Sequence, residues 1–99
     1  MEKLNILVVD DEERMRKLLQ DFLKMKEYEV LLAADGEEAI DIFFRKKDIA
    51  LVILDVMMPK MDGWEVLKTI REHSKVPVIM LTARSEEIDE LRGFDYGAD

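Results

Sequence analysis

The stretch that decides the fold is ILVVDDEE, residues 6–13, in which four apolar residues run directly into four acids. An uninterrupted apolar run of this length indicates a strand that is buried on both faces, as in a parallel sheet covered by helices. Carboxylates placed side by side repel one another. The acids are therefore either solvated or gathered around a positive charge, and the rest of the chain is needed to decide between the two.

Outward from this stretch, strand-like and helix-like patterns alternate four times. Short apolar runs at residues 4–9, 28–33, 49–54 and 76–81 predict four strands. Apolar residues at helical spacing predict three helices between them, with these inward-facing residues: Met15, Leu18, Leu19, Phe22, Leu23, Ala39, Ile40, Phe43, Phe44, Val66, Leu67 and Ile70. The alternation predicts an α/β fold, a doubly wound parallel sheet with helices on both faces and right-handed connections.

The helix ends carry their own signals. Asp35 precedes Glu38 by three residues, and Asp62 precedes Glu65 by three, which is the spacing of a capping box at a helix start. A fourth helix is predicted to follow the last strand, with Gly97 as its C-terminal cap.

Composition excludes several classes of function. The 99 residues suit one domain, and a net charge of -8 makes this chain by itself a poor binder of nucleic acid. The chain has no cysteine and a single histidine, His73, so disulfides, Cys-ligated zinc, thiol catalysis and His-rich metal sites are excluded. We find no signal peptide and no membrane-spanning run, so we expect a cytoplasmic protein with no membrane partner.

Acids from distant parts of the sequence converge at one edge of the predicted sheet. Asp10 and Asp11 follow the first strand, Asp55 follows the third, and Thr82 follows the fourth. In a sheet of order 2-1-3-4 the first and third strands are neighbours, and ligands bind beyond their carboxyl ends. Oxygen ligands without His or Cys suit Mg²⁺. The alternative is that Asp11 only caps the first helix, but the coincidence at several strand ends favours a metal.

Three segments together resemble the receiver domain of two-component response regulators: ILVVDDEE, LVILDVMMPKMDGWEVLKTIRE (residues 51–72) and VPVIMLTAR (residues 76–84). The resemblance covers residues 1–99 as a single domain. It implies a flavodoxin-like fold and a function in phosphorelay signal transduction, in which the domain accepts a phosphoryl group from a sensor histidine kinase and switches an output surface.

The resemblance also implies a role for each matching residue. Asp55 would be the phosphoacceptor. Asp11 and Asp55 would bind Mg²⁺ directly together with the backbone carbonyl of Met57, and Asp10 would act through a metal-bound water. Thr82 would hydrogen-bond the phosphoryl group and help to switch the surface of the fourth helix. Such a domain is a phosphoacceptor that catalyses its own phosphorylation and dephosphorylation, and it is not an enzyme with a separate substrate.

The family pattern would continue past Asp99 with a fifth strand carrying a Lys-Pro pair and then a fifth helix. We therefore expect a receiver that is incomplete at its C-terminus, with an exposed edge at the fourth strand and an uncovered apolar face. Such a chain is expected to be less stable, and to form a homodimer or oligomer through the fourth helix or the exposed edge. Without that lysine we expect Mg²⁺ binding to survive and phosphorylation to be at least roughly a hundredfold slower.

Three other functions compete with this interpretation. A phosphatase of the haloacid dehalogenase type needs a second Asp two residues after its nucleophile, where this chain has Met57. A flavin-binding flavodoxin needs Ser, Thr and Gly in its first loop, where this chain has DDEE. A receiver-like interaction module that is never phosphorylated stays open for a chain without the lysine.

The output is inferred from the resemblance alone. The VMMP loop at residues 56–59 and the end of the chain look most like receivers attached to winged-helix DNA-binding domains. Control of transcription, and any contact with DNA, would then belong to a domain that is not in this chain.

Overall fold

The computed structural model of this chain describes residues 3–58 and 61–81, so the predicted fourth helix and Thr82 lie outside the described residues. The elements in chain order are β1 (Asn5–Val9), α1 (Glu13–Met25), β2 (Glu29–Ala33), α2 (Gly36–Arg45), β3 (Ile49–Asp55), α3 (Gly63–Arg71) and β4 (Val78–Leu81). The predicted alternation of strand and helix is confirmed over this part of the chain. The strands differ from the prediction only at their ends, most notably at Asp55, which is the last residue of β3 and does not follow it.

The four strands form one parallel sheet in the order β2-β1-β3-β4, as predicted. The register between the two central strands pairs Val9 with Leu54. The next residues along these strands, Asp10 and Asp55, therefore lie side by side at the carboxyl edge of the sheet. In the described part of the chain β4 pairs with β3 alone, and its Ile79 side chain is exposed.

Helices cover both faces of the sheet, which confirms the doubly wound architecture. Successive strand residues point to opposite faces, so Leu7 packs with residues of α2 and α3 such as Leu67. Its neighbours Ile6 and Val8 pack on the other face with Leu23 of α1. The central strand β1 is thus buried on both sides, which explains its uninterrupted apolar run. No helix within the described residues is long and apolar enough to cross a membrane.

The two predicted helix starts are confirmed. The Asp35 side chain accepts a hydrogen bond from the backbone N–H of Glu38 at 2.8 Å, and that of Asp62 accepts one from Glu65 at 3.0 Å. In a standard capping box the Glu38 side chain would accept from the backbone N–H of Asp35. Here the Glu38 carboxylate accepts instead from the backbone N–H of Ala34.

Three of the side chains predicted to face inward are exposed, and that part of the prediction is wrong. Leu18 is 62% exposed and Phe22 53%, because α1 meets the sheet along Leu19 and Leu23, one position further round the helix. Phe44 of α2 is 48% exposed and contacts the ring of His73 edge-on, with 5.0 Å between centroids. The apolar stripe of α1 and that of α2 are therefore wider than the strip that the core covers.

Candidate metal centre

Three carboxylates meet where β1 and β3 end. Asp10 and Asp11 lie in the turn that joins β1 to α1, and Asp55 closes β3. One oxygen of each carboxylate lies within 4.8 Å of the others, an arrangement able to hold a metal ion. The predicted convergence of these acids is thus confirmed, and its cause is the adjacency and register of the two central strands.

Asp10 is the most constrained of the three acids. It is 7% exposed, and its backbone N–H donates to the carbonyl of Ala33 in β2 at 3.1 Å. Its side chain accepts a hydrogen bond from the N–H of Glu12 at 2.8 Å. Burial raises the pKa of the Asp10 carboxyl, and the negative charge of Asp11 adds to that rise, while the bond from Glu12 opposes it. Asp10 is therefore held in one position at an electrostatic cost.

The alternative role of Asp11, as the cap of α1, is not found. The N-cap residue of α1 is Glu12, and it makes no side-chain capping bond. Asp11 is exposed at the mouth of the cluster, with its carboxylate turned to the other two acids. This leaves Asp11 free of a structural duty at the start of the helix and available to a cation.

Asp55 carries the strongest perturbation in the cluster. Burial and then the neighbouring charge of Asp10 raise the pKa of Asp55 to about 6, against a hydrogen bond from the N–H of Met57 that lowers it. That bond spans 3.2 Å and directs one Asp55 oxygen. A carboxyl with such a pKa is still mostly ionised at pH 7, so it keeps the charge that a nucleophile or a metal ligand needs.

The start of α3 lies against the backbone of Asp55. A Cβ atom placed on Gly63 would lie 2.3 Å from the Asp55 carbonyl oxygen, so no larger residue fits there without a shift. The N–H of Gly63 also donates to the carbonyl of Val56 at 3.0 Å. These two contacts hold the first residue of α3 against the backbone at the end of β3, next to Asp55. Met57, two residues after Asp55, is 51% exposed.

One residue of the centre was missed by sequence analysis. Arg16, in the second half-turn of α1, donates from Nη1 to the backbone carbonyl of Asp10 at 2.7 Å. Its positive charge also acts on Asp10, as the smallest of several influences on the pKa of that carboxyl, and lowers it. A signal was present, because acids are favoured near the N-terminus of a helix and an arginine there is unexpected.

The other residues considered in the sequence analysis lie either outside the described residues or away from the acidic cluster. Thr82 lies beyond the described residues, as do Pro59 and Lys60 of the loop after Asp55. Trp64 is buried in the core, as expected. His73 is exposed after the end of α3, also as expected.

The donor set fits a hard divalent cation. All three side chains offer oxygen, which Mg²⁺ and Ca²⁺ prefer, and Mg²⁺ needs only one or two carboxylates because it keeps several waters. Burial is the main cause that raises the pKa of Asp10 and of Asp55, and the negative charges of the neighbouring acids add to it. A divalent cation bound among the three acids would offset these charges.

Comparisons with known proteins point in one direction. A family model described as the response regulator receiver domain matches residues 6–99. A probable transcriptional regulator, ycf27, of Porphyra purpurea is 51% identical over 98 residues, which are 99% of this chain and 40% of that protein. The transcriptional regulatory protein SrrA of Staphylococcus aureus is 44% identical over 94 residues, which cover 95% of this chain and 39% of that protein. The chain thus spans about 40% of the length of these relatives.

Solved structures match the whole fold. The chemotaxis protein CheY4 of Vibrio cholerae superposes with a TM-score of 0.92 at 33% identity, over 98% of this chain and 82% of that one. A two-component response regulator from Clostridium difficile superposes with a TM-score of 0.93 at 30% identity, over 98% of this chain and 79% of that one.

Proposed function

Because this chain belongs to the response regulator receiver domain family, we propose that Asp55 accepts a phosphoryl group from the phosphohistidine of a sensor histidine kinase. The observation that carries the proposal is the position of Asp55 at the end of β3, with a carboxylate oxygen within 4.8 Å of oxygens of Asp10 and Asp11. Receivers are phosphoacceptors, and an acid at the end of β3 beside two further carboxylates supports this role for Asp55.

The chemistry requires little more than position and charge. An ionised oxygen of Asp55 attacks the phosphorus, the bond between phosphorus and the kinase histidine breaks, and the electron pair returns to the imidazole nitrogen. Phosphoryl transfer of this kind passes through a loose transition state, so orientation and charge stabilisation supply most of the rate. The hydrogen bond from the N–H of Met57 orients the Asp55 carboxylate for this attack. Water later attacks the phosphorus of the aspartyl phosphate, releasing inorganic phosphate and restoring Asp55.

We assign Mg²⁺ to the same cluster, with Asp11, Asp55 and the backbone carbonyl of Met57 as direct ligands and Asp10 acting through water. The oxygen-only donor set and the mutual repulsion of the acids support this assignment. When bound, Mg²⁺ supplies positive charge that offsets the acids and the oxygens of the incoming phosphoryl group. Thr82 would donate its hydroxyl to the phosphoryl group and pass its presence to the output surface.

The complete protein would act in the cytoplasm as a regulator of transcription. The relatives ycf27 and SrrA are described as transcriptional regulators, and this chain covers only 40% and 39% of their lengths. This chain has a net charge of -8, which disfavours contact with the phosphate backbone of DNA. The contact with DNA would therefore be made by a domain outside this chain.

Substitution of Asp55 tests the phosphoacceptor. Incubated with acetyl phosphate and MgCl₂, the wild-type chain should gain one acid-stable, hydroxylamine-labile phosphoryl group by intact mass spectrometry, and Asp55→Asn should gain none. The matched control is Asp21→Asn, which removes the same charge from an exposed position on α1. It should be phosphorylated like the wild type. Full phosphorylation of Asp55→Asn would overturn the assignment. A wild-type chain that stays unphosphorylated even after prolonged incubation would instead favour the interaction module that is never phosphorylated.

Substitution of Asp11 tests the metal. Mg²⁺ at a hundred times its dissociation constant should stabilise the wild-type fold by about 2.7 kcal/mol, because it binds only the folded state. Asp11→Asn should lose most of that gain and be more stable than the wild type without metal, since one repelling charge is gone. Thermal melts of both proteins and of Asp21→Asn, with and without MgCl₂, measure this. An undiminished Mg²⁺ shift in Asp11→Asn would exclude Asp11 as a ligand.

A further inference from the structure

The turn that carries Asp10 and Asp11 is closed by two hydrogen bonds, both of which Asp10 accepts. The Asp10 carboxylate accepts from the N–H of Glu12 at 2.8 Å, and the Asp10 carbonyl accepts from Arg16 at 2.7 Å. The N–H of Asp10 is held by the carbonyl of Ala33 in β2. Both polar groups of the Asp10 backbone and its side chain are thus fixed, each by a different segment of the chain.

Arg16 is suited to this contact by its position on α1. Side chains on a helix lean towards its N-terminus, so Arg16, at the end of the first turn of α1, reaches back over the start of the helix. Arg16 is partly buried, and its guanidinium reaches a carbonyl six residues earlier. Arg14 is in the same helix and has the same charge, but it is exposed.

We propose that Arg16 is a positioning residue of the metal centre, which holds the turn of Asp10 and Asp11 in the geometry that Mg²⁺ requires by donating to the Asp10 carbonyl. The inference rests on the proposed function of that centre. It assigns Arg16 no contact with the metal or with the phosphoryl group. Partners that orient metal ligands in this way typically contribute 10- to 100-fold to metal affinity.

The charge and the hydrogen bond of Arg16 have opposite effects on Mg²⁺ binding, and this makes the proposal testable. A positive charge beside the acids repels an incoming cation, so its removal by itself would tighten Mg²⁺ binding. That effect would shrink as salt is added. Loss of the hydrogen bond releases the turn and weakens binding at any ionic strength. The sign of the change therefore separates positioning from simple electrostatics.

The experiment is Mg²⁺ titration by isothermal calorimetry on Arg16→Met and on the matched control Arg14→Met, at low and high KCl. We expect Arg16→Met to bind Mg²⁺ about tenfold more weakly than the wild type at high KCl. At low KCl the loss should be smaller, because the removed charge then offsets part of it. Arg14→Met should bind like the wild type or slightly more tightly. Arg16→Lys, which keeps the charge and one donor, should recover part of the lost affinity.

The remaining outcomes also decide the matter. Tighter binding by Arg16→Met would show that its charge alone matters, and a lower melting temperature with unchanged affinity would show a purely structural role, so either overturns the inference. If Arg16→Met fails to fold, Arg16→Lys replaces it, with Arg14→Lys as the control. A Mg²⁺ affinity of Arg16→Lys equal to that of the wild type then overturns the inference, and a weaker affinity supports it. Absence of Mg²⁺ binding by the wild type would overturn the proposed metal centre as well, whereas binding that Asp11→Asn abolishes would leave that centre standing whatever Arg16 does.

Discussion

At the scale of single residues, folding disfavours the charged forms of Asp10 and Asp55, first by burial and then by the repulsion between neighbouring acids. The pKa of Asp55 rises to about 6 because the side chain is partly removed from water and lies beside Asp10. Asp10 is itself perturbed in the same direction, mainly by its burial. Folding therefore brings together charges that the unfolded chain keeps apart, and a cation that binds between them recovers the cost.

This repulsion predicts how stability depends on pH in the absence of metal. Because the pKa of Asp55 is higher in the folded state than its ordinary 3.8, the folded state binds the proton more tightly, and this residue makes the fold less stable as pH rises from about 4 to 6. Asp55→Asn removes that penalty. Its melting temperature should exceed that of the wild type at pH 7 and approach it at pH 4.

Thermal melts in EDTA at the two pH values measure the difference, with Asp21→Asn as the control that lacks it. An equal gain for Asp55→Asn at both pH values would show that the amide stabilises by some route other than loss of charge.

At the scale of elements, the connection from α1 to β2 contains a strained residue. Glu27 has a φ of 67°, in the left-handed region that favours glycine. The turn has the hydrogen bonds of a Schellman motif, with the N–H of Tyr28 on the carbonyl of Leu23 at 3.1 Å and that of Glu27 on Lys24 at 2.9 Å. These two bonds terminate α1 and direct the chain into β2. They require an unfavourable backbone conformation at Glu27.

Glu27→Gly should therefore stabilise the fold. Relief of the left-handed conformation is worth about 1–2 kcal/mol, and the greater freedom of glycine in the unfolded chain offsets part of it, so we expect a net gain of about 0.5–1 kcal/mol. Urea denaturation of Glu27→Gly measures the gain. Lys26→Gly is the control, because Lys26 has a φ of -90° and gains nothing from glycine. A loss of stability in Glu27→Gly equal to that in Lys26→Gly would contradict the argument.

At the scale of the whole molecule, stability is concentrated in the middle of the sheet. Leu7 in β1 is completely buried under α2 and α3, whereas Leu18 on α1 is 62% exposed. The metal centre depends on this arrangement, because the three acids at the ends of β1 and β3 stay close together only as long as the two strands stay paired.

The two leucines allow a matched comparison. Leu7→Ala should destabilise the fold by about 2–5 kcal/mol, from lost burial and the cavity left behind. Leu18→Ala should change stability by less than about 0.5 kcal/mol, as expected for an exposed position. Chemical denaturation of both variants measures the difference. A cost at Leu18 close to that at Leu7 would mean that the exposed stripe of α1 is covered in solution, for instance by a second copy of the chain.

The sequence by itself determined the order of strands and helices, the helix starts at Asp35 and Asp62, and the meeting of Asp10, Asp11 and Asp55. These follow from local patterns: hydrophobic period, capping spacing and the placement of acids at strand ends. A parallel sheet then brings those ends to one edge.

Only the tertiary structure decided which apolar residues are buried and what holds the acids in place. Leu18 and Phe22 have the same helical spacing as the buried Leu23, and their exposure depends on the line along which α1 meets the sheet. The bond from Arg16 to Asp10 and the pKa of Asp55 likewise depend on distances of a few ångströms. Hydrogen bonding and desolvation change steeply over such distances, and a pattern of residue types along the chain does not specify them.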